Sequence, residues 1–331
     1  LAHLKLASDT FPGGTLIQEG FLYDSMIGGF YAKGKEFDIT EKQVEQAMQF
    51  NPRFIEINVT MSKEDIQVLN KGPMAVFKLI DSRMTSAYMS AAAQVAVCLY
   101  LNGQNAGYTT IINGLAEALN DGSTASWDNN TYSTYGGITR GGSVGKALNS
   151  IPFNVNGAID YNTLEEQYSN AVFGTRQPTL GVTTNKGYSY IKEKFQTQQR
   201  FNDTQDPKIG FNGLKFNAAT LIRSRYAPGT QISTAGTQEN LLAVTALTQA
   251  SNGAVTAYPS LAVASSETLF WMNAEKPYVR FYISDDPEYG FGFTGFKPAQ
   301  GNTKVAGQVL GAIALTVPGP RYHNQTYGFT G

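Results

Sequence analysis

Hydrophobic and polar positions change period several times along this chain, and each change predicts an element. The longest uniform stretch is Pro73 to Leu101, PMAVFKLIDSRMTSAYMSAAAQVAVCLYL, which has no internal Gly or Pro and is rich in Ala, Leu and Met. These are strong helix formers, and Pro73 stands where a first helical residue belongs. Lys78, Ser82, Ser86, Ser90 and Gln94 make one polar stripe, while Phe77, Ile80, Met84, Tyr88, Ala91, Val95 and Leu99 fall elsewhere. At about 1.5 Å per residue the helix is a rod roughly 40 Å long. Asn102 and Gly103 predict an αL cap at its end. Because no charge occurs from Met84 to Leu101, a membrane span has to be weighed. Its Ser, Thr and Gln content and the absence of a basic flank favour a buried spine instead.

Before the rod, Ile55, Ile57, Val59 and Met61 alternate with Phe54, Glu56, Asn58 and Thr60. That period of two is the mark of a half-covered strand. Lys33 to Ile39 can be a second strand. Between them Thr40-Glu41-Lys42-Gln43 is a capping box that predicts a short helix with Val44, Ala47 and Met48 on one face, ended by Asn51-Pro52. The segment therefore reads as a long hairpin with a small helix at its waist. Isolated hairpins are marginal in water, so this one must dock, either on its own core or on a neighbour. Residues 1–19, with Pro12-Gly13-Gly14, read as an extended arm rather than a core element. Ser62-Lys63-Glu64-Asp65 is a further cap signature leading towards the rod.

After the rod, residues 103–160 are Gly, Asn, Ser and Tyr rich and predict loops. Thr163 to Phe173 reads as a helix and Leu180 to Thr184 as a buried strand. Asn185 is placed to cap a helix that runs to about Phe201, with Tyr188, Ile191 and Phe195 on one side. Leu214 to Tyr226 predicts a strand with a turn, and 229–266 a low-charge surface excursion. Residues 268–283 and 305–317 read as closing strands, Pro277 placing the first at an edge or a bulge. No solenoid period is present.

Composition narrows the function classes. The chain has 331 residues, room for two subdomains, with 15% charged residues and a net charge of −1. That balance argues against a general basic grip on nucleic acid, while leaving room for a local patch. The single cysteine, Cys98, removes disulfides and Cys-based zinc sites and reads as a small buried apolar residue. The start shows no signal-peptide pattern, and Leu1 fits a processed N-terminus or a chain given in part.

Motifs with chemical meaning fail on context. Gly141-Gly142-Ser143-Val144-Gly145 spells a nucleophile elbow, but no buried strand precedes Ser143, and only His323 lies downstream as a base. Gly290-Phe291-Gly292-Phe293-Thr294-Gly295 spells a dinucleotide fingerprint, yet Phe296-Lys297-Pro298 cannot open the helix a pyrophosphate needs. Gly145-Lys146 lacks the rest of a phosphate loop. Asp285-Asp286 with Glu288 is a turn before it is a cation site. Two histidines without partners at ligand spacing make no metal site. The expectation is no catalytic residue, no cofactor and no metal.

An ordered series of blocks does carry a resemblance. Tyr161-Asn162-Thr163-Leu164-Glu165-Glu166-Gln167-Tyr168, Val182-Thr183-Thr184-Asn185-Lys186-Gly187-Tyr188, Gln199-Arg200-Phe201 and Gly213-Leu214-Lys215-Phe216-Asn217-Ala218 resemble tailed-bacteriophage major capsid proteins of the Hong Kong 97 fold. Tyr135-Gly136-Gly137-Ile138-Thr139-Arg140 resembles a family signature, with Thr139 where an acidic residue is expected. The resemblance covers nearly the whole chain, most weakly at 1–19 and 229–266, and it rests on the order of the blocks.

The resemblance implies an α+β fold. Residues 1–19 would be the N-terminal arm and 20–61 an extended loop lying over an adjacent subunit. Residues 62–104 with 266–331 would be a peripheral domain, and 105–265 an axial domain. It further implies a non-enzymatic, self-assembling shell of hexamers and pentamers around phage double-stranded DNA, without sequence specificity. Scaffolding, portal and decoration proteins would be partners, no membrane would be involved, and the site would be a virion assembled in the host cytoplasm. Lys33, Lys35 and Arg53 are the intersubunit contact candidates, with solvated charges as the plain alternative. Rival readings are an encapsulin-like nanocompartment, a serine hydrolase using Ser143, and a tail-tube or sheath protein.

Overall fold

A computed structural model describes residues 7–65, 79–103, 111–198, 214–230, 266–298 and 303–331. The first elements are β1 (Ala7–Phe11), β2 (Ile17–Leu22), β3 (Glu45–Phe50), β4 (Arg53–Ser62), helix α1 (Leu79–Cys98) and the one-turn α2 (Leu115–Ala118). Then come β5 (Thr134–Tyr135), β6 (Ile138–Thr139), β7 (Phe153–Ala158), α3 (Tyr161–Asn170), β8 (Leu180–Thr183) and α4 (Asn185–Gln198). The remaining strands are β9 (Leu214–Phe216), β10 (Ala219–Arg223), β11 (Glu267–Met272), β12 (Arg280–Ser284), β13 (Gly290–Phe293), β14 (Lys297–Pro298), β15 (Lys304–Thr316) and β16 (Asn324–Thr330).

The strand β15 organises the first sheet. Among the described residues this sheet has six strands in the order β1-β12-β15-β13, with β14 and β4 also paired to β15. β4 and β15 run antiparallel from Arg53↔Ile313 to Ser62↔Lys304. The alternation read in the sequence has its cause here. Ile55, Ile57, Val59 and Met61 turn inward, while Phe54, Glu56, Asn58 and Thr60 face solvent. Helix α1 crosses the inner face. Ala87 packs with Val59 and Val309, and the Arg83 guanidinium donates to the Thr60 carbonyl. Alanine at 87 and 91 lets helix and sheet approach closely.

The same strand explains the glycine-phenylalanine motif. A Cβ on Gly307 would overlap the Phe293 ring, and one on Gly311 would stand 2.9 Å from Phe291. The phenylalanines of β13 fill the gaps those glycines leave, so Gly290 to Gly295 forms a strand and a turn instead of a cradle for phosphate.

The second sheet, also of six strands among the described residues, runs β7-β16-β11-β8-β10-β9. β11 and β16, which come from beyond residue 266, sit at its heart beside strands drawn from 105–265. β11 is buried along its whole length. Trp271 packs on Phe216 and Tyr168 at centroid distances of 5.4 Å each, and α3 and α4 contribute Leu164, Tyr188 and Ile191 to the same core. A second core cluster joins the end of α1 to both sheets through Leu99, Tyr100, Phe270, Phe281 and Leu315.

Several local expectations are corrected. The capping box at Thr40 opens no helix: Glu45 to Phe50 is strand β3, paired antiparallel with β2 from Leu22↔Glu45 to Ile17↔Phe50. Lys33 to Ile39 is not a strand but an exposed loop. The ribbon is thus β2 with β3, and β4 belongs to the first sheet. Of residues 1–19, β1 is a sheet strand, parallel to β12. Residues 268–283 split into β11 and β12, which join different sheets, with Pro277 in the connection.

Cap assignments shift as well. Asn102 and Gly103 are not left-handed. Helix α1 ends in tight turns, Tyr100 N–H to Val97 O and Leu101 N–H to Cys98 O, while Leu115 N–H donates to Leu99 O at 2.7 Å. Thr184 rather than Asn185 caps α4, its Oγ1 accepting from Gly187 N–H at 2.9 Å. Ser62 does cap the turn after β4, its Oγ accepting from Asp65 N–H at 3.0 Å. The start of the rod at Pro73, the helix end near Phe201 and, of the excursion read at 229–266, residues 231–265 lie outside the described residues.

Candidate functional site

Two stretches of one ribbon define the candidate site: a base held by the body and a loop that the body leaves bare. The base is dictated by residues of β2 and β3 that point inward. Met48 and Phe50 are buried, and the Phe50 ring stands edge-on to Tyr135 with centroids 5.2 Å apart. Gln49 N–H donates to Gly136 O at 3.0 Å. Gly136 has φ +56°, and a Cβ there would lie 2.7 Å from Met48 Cβ. The Tyr-Gly-Gly signature is therefore a seat: the tyrosine supplies the surface, and the glycine permits both the turn and the close approach.

Arg140 holds that seat from behind. Its fully buried guanidinium donates to the carbonyls of Glu117 and Ala118 at 2.6 and 3.0 Å, and also to those of Asn120 and Leu148. Loss of water lowers its pKa to about 10, and the Tyr135 ring at 5.2 Å offsets part of that loss. Thr139, where the family signature has an acid, is exposed.

Glu19 ties β2 to the first sheet. Its buried carboxylate accepts from Tyr282 Oη at 2.6 Å, Arg280 Nη1 at 3.0 Å and Thr316 Oγ1 at 3.1 Å. A carboxylate with three donors is well satisfied in a buried place.

Beyond the base the character changes. Tyr23 N–H donates to Val44 O at 3.0 Å and Tyr23 Oη to Gln43 O at 2.7 Å. Lys42 pairs with Asp24 at 2.8 Å and holds that carboxyl below its usual range. From Asp24 to Glu41 every residue is exposed. Met26, Ile27, Phe30, Tyr31, Phe37 and Ile39 are among them, Phe30 entirely and Ile39 at 93%. Burying large apolar side chains is worth roughly 1.5–3 kcal/mol each, and exposed apolar patches of this kind mark interaction surfaces.

The sequence-derived contact residues are divided by the structure. Lys33 and Lys35 lie in the loop, exposed, in a turn closed by Lys35 N–H to Ala32 O at 3.1 Å with Gly34 at φ +86°. Arg53 opens β4, half-buried opposite Ile313, and belongs to the sheet. Sequence reasoning missed Glu19 and the fit of Gly136 under Met48, for which no local signal exists. It also passed over the exposed apolar residues, which were visible as an aperiodic apolar cluster among glycines.

The enzymatic candidates do not assemble. Ser143 is exposed in a turn. His323 is buried, its Nδ1 accepting from Asn273 N–H at 3.1 Å, and burial lowers its pKa to about 4. Cys98 packs against the core, and burial pushes its thiol up to about 12. Among the described residues no group of three His, Cys, Asp or Glu is placed to hold a metal ion, and no helix is long and apolar enough to cross a membrane.

No family model matches the chain, and no curated protein matches it by sequence. Solved structures do. The capsid of cyanophage A-1(L) is similar with a TM-score of 0.61 at 11% identity, over 99% of this chain and 91% of that one. The capsid of the native GTA particle gives a TM-score of 0.60 at 10% identity, covering 99% and 90%. The SrpI encapsulin of Synechococcus elongatus gives 0.57 at 10% identity, covering 98% and 85%. The chain has the Hong Kong 97-type α+β fold of tailed-bacteriophage capsid proteins over nearly its whole length.

Proposed function

We propose that this protein is a major capsid protein, which builds a closed icosahedral shell from hexamers and pentamers and encloses phage double-stranded DNA. One observation carries the reading: an anchored ribbon ends in a loop whose six large apolar side chains its own chain leaves uncovered. A neighbour's surface supplies the cover. Such a contact is heterologous, joining unlike patches of two copies, and it closes into rings when its rotation divides the circle. Burial at the loop is on the order of 10 kcal/mol gross, reduced by the cost of ordering and association. Many weak contacts then act together.

In this reading residues 20–61 are the extended loop, whose return strand β4 is held in the first sheet, 62–104 with part of 266–331 the peripheral domain, and 105–265 the axial domain, completed by β11 and β16. Lys33, Lys35 and Arg53 contact adjacent copies. Scaffolding, portal and decoration proteins complete the particle, assembled in the host cytoplasm. The chain itself performs no catalysis.

A second reading, an encapsulin-like compartment with a protein cargo, is supported by the likeness to the SrpI encapsulin. Electron microscopy of particles purified from cells, with their ultraviolet spectrum and nuclease-protected nucleic acid measured, decides between them. Closed shells with protected double-stranded DNA are expected. Shells filled with protein favour the compartment; helical cylinders or monomers overturn both.

A further inference from the structure

We propose that the loop of one copy seats on a specific patch of the next, formed by the outer face of β4 and the acidic turn between β12 and β13. This rests on the shell reading and names the receiving surface within it. Phe54, 70% exposed on β4, stands edge-on to Tyr289, 39% exposed, with ring centroids 5.9 Å apart. Beside them the exposed turn carries Asp285, Asp286 and Glu288.

The turn is rigid. The Asp286 carboxylate accepts from Glu288 N–H at 2.8 Å and Tyr289 N–H at 3.1 Å. Gly290 N–H returns to Asp286 O, and Ala312 N–H to Tyr289 O, both at 2.7 Å, tying the turn to β15. Asp286 is thus occupied in holding the backbone, and Asp285 and Glu288 present their charges from a fixed frame next to an aromatic pair.

The loop offers the complement. Tyr31 and Phe37 pack edge-on at 4.9 Å and bracket the turn that carries Lys33 and Lys35. An aromatic pair with two cations meets an aromatic pair with two anions. Glu36 and Asp38 follow the lysines, but the Asp38 carboxylate is turned to its own loop, accepting from Thr40 N–H at 3.0 Å and Oγ1 at 2.6 Å.

The loop is exposed throughout from Asp24 to Glu41 and does not cover Phe54 of its own chain, so the proposal places the receiver on a different copy. Phe54 follows the base end of β3, and the length of β3 alone puts about 20 Å between that end and the loop. Each limb of the loop, Tyr23 to Val44, extends the reach by up to roughly 35 Å. Tip therefore meets base, the head-to-tail arrangement that rings require.

Charge exchange in the full chain tests this. Lys33→Glu with Lys35→Glu, Asp285→Lys with Glu288→Lys, and all four together are compared with the native chain by sedimentation and negative stain. Each pair is expected to lower the closed-shell fraction about tenfold or more, through like charges placed face to face. The fourfold exchange is expected to restore it to within about twofold. If native shells form while either pair leaves them unchanged, or the fourfold exchange brings no recovery, this assignment falls and the shell reading stands. If the native chain forms no shells, both fall. A Lys35→Cys, Glu288→Cys chain keeps the test open should a charge variant misfold. Oxidised shells are expected to yield an interchain disulfide ladder, and intact shells without one overturn the assignment.

Discussion

At its base the β2–β3 ribbon buries Met48 and Phe50 against Tyr135 and Gly136 and locks Glu19 under three donors. A few residues farther along, Phe30 and Ile39 stand in solvent with no less apolar surface to offer. Both stretches belong to one ribbon. They differ in whether the covering surface lies in the same chain. In the proposed shell the base is determined by folding and the tip by association, so the two ends should respond to opposite measurements. Substitutions at the base should be read in the melting of the unassembled chain, and those at the tip in the yield of shells.

The largest effect on stability is expected at the base. Phe50→Ala leaves a cavity beneath Tyr135 and should cost about 3–5 kcal/mol in denaturant unfolding of the unassembled chain. A value below 1 kcal/mol would mean that the base is as loosely held as the tip.

Acid should loosen the body. His323 titrates near 6.5 in the unfolded chain and near 4 when buried. Below pH 6.5 the unfolded chain therefore takes up a proton that the folded chain refuses, and stability falls as pH drops through that window. The loss approaches about 3 kcal/mol below pH 4 and is absent above pH 7. Melting against pH should show this slope in the native chain, and a flatter one in His323→Gln.

Gly136→Ala comes next, at about 1–3 kcal/mol, because the new Cβ meets Met48 at a backbone angle that L residues resist. Gly137→Ala next to it also pays for a positive φ, but with no atom within 4 Å of the new Cβ it should cost less. Comparing the two melting curves separates contact with the ribbon from backbone strain.

The smallest effect on stability belongs to the tip. Phe30→Ser with Ile39→Ser should move unfolding of the unassembled chain by no more than about 0.5 kcal/mol, while removing most closed particles from a sedimentation profile. If it lowers stability as Phe50→Ala does, the tip folds onto its own chain and the contrast collapses.

The candidate site was legible in part. Lys33 and Lys35 were expected on the hairpin, in a strand from Lys33 to Ile39, and the structure places both in an exposed loop instead. The helix expected after Thr40 shows why the rest was hidden. A capping box is worth on the order of 1 kcal/mol, which pairing with Ile17 to Leu22 and burial of Met48 and Phe50 outweigh. Glu19 lies more than two hundred residues from the side chains that donate to it, and Gly136 more than eighty from Met48, and no local pattern encodes such distances.

By itself the sequence determined the elements whose cause is local or periodic. The α1 rod follows from helix formers without a break, β4 from strict alternation, β8 from a short apolar run, and the turn at Asp285 from its Asp, Pro and Gly. The ordered blocks also pointed to the Hong Kong 97-type fold. Tertiary structure alone decided which strands pair, that β11 and β12 part to different sheets, and that the phenylalanines of β13 fill over glycines of β15. It also decided which apolar residues remain bare. Burial is a property of where distant segments meet, and among the described residues no distant segment covers the loop.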